Sequence, residues 1–165
     1  MSYVQSFAPL APAGARLLIL GSMPGAASLA AGQYYAHPRN AFWPILGALC
    51  HFPADAPYAA RVAALQAAGV AVWDVLQSCV RPGSLDTAIE RSSEVANDIV
   101  GLLARHPGIR RIGFNGGTAE AAFRRHVPAA AVAGLQLLRL PSTSPANASW
   151  SFERKLAAWS AAFEE

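Results

Sequence analysis

The stretch Gly21–Trp43, GSMPGAASLAAGQYYAHPRNAFW, follows directly on the apolar run Leu17-Leu18-Ile19-Leu20. A short apolar run that ends in a Gly- and Pro-containing turn marks a buried strand of a parallel sheet. Open α/β sheets place their ligands beyond the carboxyl ends of such strands. Behind the turn come Tyr34, Tyr35, His37, Arg39 and Asn40, within a few positions of one another. A tight turn, aromatic faces and amide groups together suit a pocket for a flat, polar ring.

Outward from this stretch the pattern repeats. Apolar segments at Arg16–Leu20, Val70–Trp73, Arg110–Asn115 and Leu135–Leu140 each run into a polar or Gly/Pro-containing segment and predict four parallel strands. Helical spacing alternates with them over Asn40–Cys50, Tyr58–Ala68 (with Gly69 as its stop), Ser93–Arg105, Thr118–His126 and Ser149–Phe163. In the third of these helices Val95, Ile99, Leu102 and Leu103 form a core-facing stripe, and Ser92 or Ser93 is placed to cap it. The order β-α-α-β-α-β-α-β-α predicts a three-layer α/β/α domain on a central four-stranded parallel sheet. The longest irregular stretch is Ser78–Ser92, and such loops often carry function. No repeat or linker divides the chain, so residues 1–165 are expected to form one domain.

Bulk properties narrow the classes. With 53% hydrophobic and 14% charged residues the chain reads as a compact globule. It has no apolar run long enough for a membrane span, and its first residues lack the pattern of a signal peptide, so a cytoplasmic location is expected. Cys50 and Cys79 are too few for a disulfide framework or a four-cysteine cluster and read as core fillers. No His/Cys/carboxylate cluster has ligand spacing, so no metal and no cofactor are expected. The net charge is only +3, but Lys155 is the sole lysine and the other basic residues are arginines, which bind phosphate bidentately and stack on bases. The pairs Arg110-Arg111 and Arg124-Arg125 are either solvated faces or backbone contacts.

Gly21-Ser22-Met23-Pro24-Gly25 and Tyr35-Ala36-His37-Pro38-Arg39-Asn40-Ala41-Phe42-Trp43 resemble motifs of the uracil-DNA glycosylase superfamily. The mismatch-specific uracil/thymine branch has G-I-N-P-G followed at the same spacing by F-A-H-P-A-N-R-F-W. The hypoxanthine (deoxyinosine) branch is closer still, since its first motif also reads GSMPG and its next HPRN. The resemblance extends to Leu140-Pro141-Ser142-Thr143-Ser144-Pro145-Ala146-Asn147, which is similar to that branch's PSTSPAN. It also covers Phe114-Asn115-Gly116-Gly117-Thr118-Ala119, similar to F-N-G-K-x-A with Gly117 in place of the lysine. Trp73–Cys79 and Gly83-Ser84-Leu85-Asp86 look like the same branch.

The resemblance implies a site. An enzyme that acts on a base flips it out, stacks it and reads its edge. It then breaks the glycosidic bond through an oxocarbenium-like state. The superfamily's usual water-positioning Asp or Asn falls at Met23, which cannot serve, so the resemblance assigns the catalytic role to Asn40. Asn40 is equally placed to cap the following helix, and both roles can hold. Tyr35 falls where the flipped base is stacked, and main-chain N–H groups of Ser22 and Met23 face the leaving base. Asp74 and Gln77 either line the pocket or tie down the long loop. His37 donates to the base or fixes a turn, and Arg39 points at phosphate or solvent. Ser142, Thr143 and Ser144 are expected on phosphates, with Ser144 and Pro145 at the place of the usual wedge. Leu140 stands where other branches carry His or Asn.

The implied activity is that of a monofunctional DNA glycosylase that excises a deaminated base, with hypoxanthine foremost, and leaves an abasic site for base-excision repair. With Lys155 outside the motifs, no Schiff-base step is expected. The partner is damaged DNA, with no membrane and no metal, and the protein is expected to be a monomer. Two other readings stay open: a uracil or mismatched-thymine glycosylase, and a module that binds a damaged base without cutting it.

Overall fold

The computed structural model describes residues 2–164. Its central sheet has four parallel strands: β2 (Leu17–Gly21), β3 (Val70–Asp74), β6 (Arg111–Asn115) and β7 (Gln136–Leu140), in the order β3-β2-β6-β7. Strands β2 and β3 are buried along their whole length, as expected where both sheet faces are covered. Alternate side chains divide between two cores. Leu18, Leu20, Ala71, Trp73, Ile112 and Phe114 pack against α4 (Ile99–Arg105) and α5 (Gly117–His126). On the other face Leu17, Ile19, Val70 and Val72 meet α2 (Phe42–Cys50), α3 (Tyr58–Ala67) and α6 (Phe152–Ser160). This is the three-layer α/β/α architecture expected from the sequence. Each large apolar side chain removed from water contributes about 1.5–3 kcal/mol before the entropy of ordering is subtracted.

Several local expectations are corrected. The helix expected over Ser93–Arg105 begins only at Ile99, because Asp98 caps it: its Oδ1 accepts from the Gly101 N–H at 2.9 Å. Upstream, Val95–Ala96 is a strand, β5, paired with β4 (Leu76–Val80), which in turn pairs with β1 (Tyr3–Gln5) in a second, antiparallel sheet. Val95 is therefore an exposed strand residue and not part of a core stripe. Ser93 does not cap a helix; its Oγ accepts from the Val80 N–H at 2.7 Å. The last helix starts at Phe152, with Ser151 Oγ accepting from the Arg154 N–H. A short helix α1 (Ala26–Ala31) inside the opening stretch was not anticipated; it ends at Gly32, whose φ of +64° favours glycine.

Candidate active site

All four parallel strands deliver their carboxyl ends to one cleft of about 1040 Å³, lined there by Gly21, Asp74, Asn115 and Leu140. Ser22, Met23, Tyr35, His37, Arg39, Asn40, Ser142, Thr143, Ser144 and Pro145 line the same cleft. Among the site residues that the resemblance implies, Gln77 alone is left outside. It lies on β4, an antiparallel strand that has already left the central sheet, and its side chain is exposed between buried Leu76 and Ser78. The period-2 alternation of that strand points it away.

One side of the cleft is a closed network. Asn115, at the end of β6, accepts from the Thr143 N–H through Oδ1 and donates to Thr143 Oγ1 through Nδ2, both at 2.9 Å. Thr143 O then accepts from the Ala41 N–H at 2.9 Å, which ties the loop after β7 to the start of α2. Asn40 Oδ1 accepts from the Phe42 N–H at 2.9 Å, so this residue does anchor the helix start. Its Nδ2 donates to no protein group among the described residues. His37 Nδ1 accepts from the Arg39 N–H at 3.1 Å, which fixes the turn and leaves the ring proton on Nε2. Farther along, Ser142 Oγ accepts from the Ser144 N–H and Ser144 Oγ from the Ala146 N–H. Asn147 Nδ2 donates to Ser142 O at 3.1 Å.

Two expectations change here. Thr143 is 1% exposed with its hydroxyl engaged by Asn115, so it acts as a clamp and not as a phosphate contact. Ser142 and Ser144 only accept in the loop and keep an O–H free to donate. Lys155, expected to be remote from the motifs, is buried behind this loop with Nζ 3.5 Å from Ser144 O. Burial pushes its pKa down, and it does not line the cleft.

The opposite side carries charge. Asp74 is 3% exposed, and its Oδ2 has no hydrogen-bond partner. Burial, reinforced by Asp86 and partly opposed by Arg81, pushes its pKa up to about 7. Tyr35 sits beside it at φ +53°, a left-handed conformation that is uncommon for a bulky side chain and often accompanies a functional constraint. One face of its ring stacks on Phe42, with centroids 4.0 Å apart and planes at 19°. Its buried Oη is also without a partner, and burial together with Asp74 raises its pKa. Gly21 makes room for both: a Cβ there would lie 2.5 Å from Asp74 Oδ1 and 2.8 Å from Tyr35 Oη. Met23 is 7% exposed, with its side chain in the core on the α4 and α5 face. It therefore offers the cleft main-chain groups and little else.

Asp86, Arg139 and Trp150 line the cleft and were not singled out from the sequence, nor was Arg81, which braces the turn beside it. Arg81 is 2% exposed and makes no ion pair among the described residues; it donates to Pro24 O at 2.6 Å and Gly83 O at 2.9 Å, while Nη1 has no partner. Asp86 accepts from Ser22 Oγ at 2.7 Å, and Ser84 Oγ accepts from the Ala26 N–H at 2.8 Å. These contacts pin the Gly21–Gly25 turn to the long loop, whose length was the available signal. Arg139 lines the cleft with its guanidinium against Gly117, in the space a side chain at 117 would fill. Its ion pair with Glu120 is loose at 3.7 Å. An arginine inside an otherwise apolar strand was the clue.

Among the described residues no group of three or more His, Cys, Asp or Glu side chains could hold a metal ion, and no helix is long and apolar enough to cross a membrane.

The family profile described as the uracil DNA glycosylase superfamily matches residues 8–163. A curated relative from Methanosarcina acetivorans, named hypoxanthine DNA glycosylase, is 35% identical over 89% of this chain and 89% of its own length. A second relative of that name, from Methanosarcina barkeri, is 32% identical over 97% and 98%. The solution structure of a provisionally assigned uracil DNA glycosylase from Methanosarcina acetivorans superposes with a TM-score of 0.77 at 29% identity, covering 98% of this chain and 99% of that one. With the motif residues gathered in one cleft on this fold, the chain belongs to the uracil-DNA glycosylase superfamily.

Proposed function

We propose that this protein is a monofunctional DNA glycosylase that removes hypoxanthine from DNA and leaves an abasic site for base-excision repair. The observation that carries this reading is Asn40: its amide lines the cleft, locked at the head of α2, in a chain that aligns almost end to end with relatives named for hypoxanthine.

The chemistry follows from the geometry. One lone pair of Asn40 Oδ1 is held by the Phe42 N–H, and the second is available to accept from a water molecule. The flipped base lies on the Tyr35 ring face opposite Phe42, a contact of the kind worth about 1–3 kcal/mol. Water adds to C1′ as the glycosidic bond opens, and the Asn40 amide dipole favours the developing cation. Charge gathering on the departing base meets the N–H groups of Ser22 and Met23, which have no main-chain acceptor among the described residues. His37 Nε2 adds a further donor. Arg39, Arg139 and the hydroxyls of Ser142 and Ser144 hold backbone phosphates at the rim, with Pro145 beside them at the duplex. Lys155 lies behind the loop and does not line the cleft, so its amine is not placed to form a Schiff base at C1′. The chain acts as one domain, as a monomer in the cytoplasm.

The test uses end-labelled oligonucleotides carrying one hypoxanthine, uracil, xanthine or mismatched thymine, with alkali to reveal abasic sites. Cleavage at hypoxanthine that disappears in Asn40→Ala is expected. Cleavage confined to uracil or thymine would move the protein to the mismatch branch. Tight binding with no cleavage would make it a damage-recognition module.

A further inference from the structure

Asp74 has a use that base stacking and water positioning do not explain. It is 3% exposed, at the carboxyl end of the buried strand β3, and lines the cleft among the strand ends. Its Oδ2 is bonded to nothing, and no ion pair neutralises it among the described residues. An ionised carboxylate in that position would be expensive; a protonated one carries an O–H in need of an acceptor. Gly21 lets this carboxyl pack close against the end of β2, since a Cβ there would lie 2.5 Å from Oδ1.

Resting on the reading of the protein as a hypoxanthine glycosylase, we propose that Asp74 is the general acid of the reaction, delivering its carboxyl proton to N7 of the flipped purine as the C1′–N9 bond breaks. The bonding pair of C1′–N9 stays with the base, which departs neutral with hydrogen on N7. Water adds to C1′ and loses one proton to solvent, and the Asp74 carboxylate takes a proton back from solvent before the next turnover. Purines leave more easily when N7 is protonated, and a positioned acid typically contributes about 10²–10⁴-fold.

The surroundings keep this acid working near neutral pH. Burial disfavours its charged form, and the Asp86 carboxylate, held on Ser22 Oγ, does the same. Arg81, buried at the end of β4, pulls the other way. Tyr35 and Tyr34, from the segment between α1 and α2, face Asp74 as neutral phenols, both pushed up by burial and by Asp74 itself. His37 lines the same cleft, so its variant serves as the comparison.

The experiment is single-turnover excision of hypoxanthine from duplex DNA between about pH 5 and about pH 9, for wild type, Asp74→Asn, Asp74→Glu and His37→Gln. The wild-type rate is expected to fall about tenfold per pH unit above neutrality. Asp74→Asn should be about 10²-fold slower below neutrality and should lose that alkaline limb. Asp74→Glu, which keeps a carboxyl in a displaced position, should be slow but keep the limb, and His37→Gln should keep it as well. A limb that persists in Asp74→Asn, or a wild-type rate that stays flat to high pH, would overturn the proposal while leaving the glycosylase reading intact. Circular dichroism of Asp74→Asn guards against a folding defect, and the wild-type and Asp74→Glu profiles decide the matter if that variant does not fold. Wild type that removes only pyrimidines would sink both the acid and the hypoxanthine reading.

Discussion

The two sides of the cleft satisfy their buried polar groups very differently. On the Thr143 side, bonds of 2.9 Å link Asn115 to Thr143 and Thr143 to Ala41, and the adjacent Asn40 accepts from the Phe42 N–H at the start of α2. On the Asp74 side, Asp74 Oδ2, Tyr35 Oη and Arg81 Nη1 are buried without partners. Most buried polar atoms in folded proteins are bonded, and each one that is not costs about 1–3 kcal/mol. The contrast separates a frame from a receptor. The first side spends its hydrogen bonds on the start of α2; the second leaves buried polar atoms unspent, of which the proposed reading turns those of Asp74 and Tyr35 to a base.

Removing the amide at the meeting point of these sides should have the largest effect. Asn40→Ala is expected to lower the single-turnover rate by about 10²–10³-fold. The same change removes the helix-start bond and should cost about 1 kcal/mol, measured by urea unfolding. Next comes the frame itself. Asn115→Ala breaks both bonds to Thr143 and strands its N–H, so a loss of about 2–3 kcal/mol is expected from the same unfolding curves. An unchanged midpoint would show that the frame is not rigid.

The receptor side should behave in the opposite sense. Because the folded-state pKa of Asp74 lies above its ordinary value of 3.8, the native state holds this proton more tightly than the unfolded chain does. Its contribution to stability is complete below the usual carboxylate range and is lost as pH rises through about 7. The wild-type melting temperature should fall across that window, and Asp74→Asn should flatten the curve, read by scanning calorimetry. The smallest effect belongs to the rim. Arg139→Ala should weaken DNA binding roughly tenfold and reduce the salt slope by about 1. Adding Gly117→Lys to that variant should return the slope, since the two groups compete for one space.

The sequence made some of this legible and hid the rest for physical reasons. The four parallel strands announce themselves as Leu/Ile/Val runs because both sheet faces are covered. Ser22 after β2, Asn40 at the head of α2 and Ser142 after β7 line the cleft and were readable because each motif is local. The second sheet was not: β5 is two residues long, and its pairing to β4 depends on chain far away. Val95 fell in helical register with Ile99 by coincidence, which displaced the helix start from Asp98 to Ser93. Gln77 was grouped with Asp74 because they are close in sequence, although a change of strand separates them. The cluster of Asp74, Arg81 and Asp86 forms only when the loop folds back over the Gly21–Gly25 turn, and no spacing rule announces it.

Trp150 has a consequence for optical work. The other tryptophans, Trp43, Trp73 and Trp159, are buried at 4%, 7% and 0% exposure, each with its indole N–H fixed on a main-chain oxygen. Trp150 is half-buried, lines the cleft and carries the Arg154 guanidinium 4.1 Å over its ring. Intrinsic fluorescence therefore contains one solvent-sensitive emitter placed in the cleft, against a background of three shielded ones. Arrival of DNA can be timed by its quenching, with no label attached to either molecule.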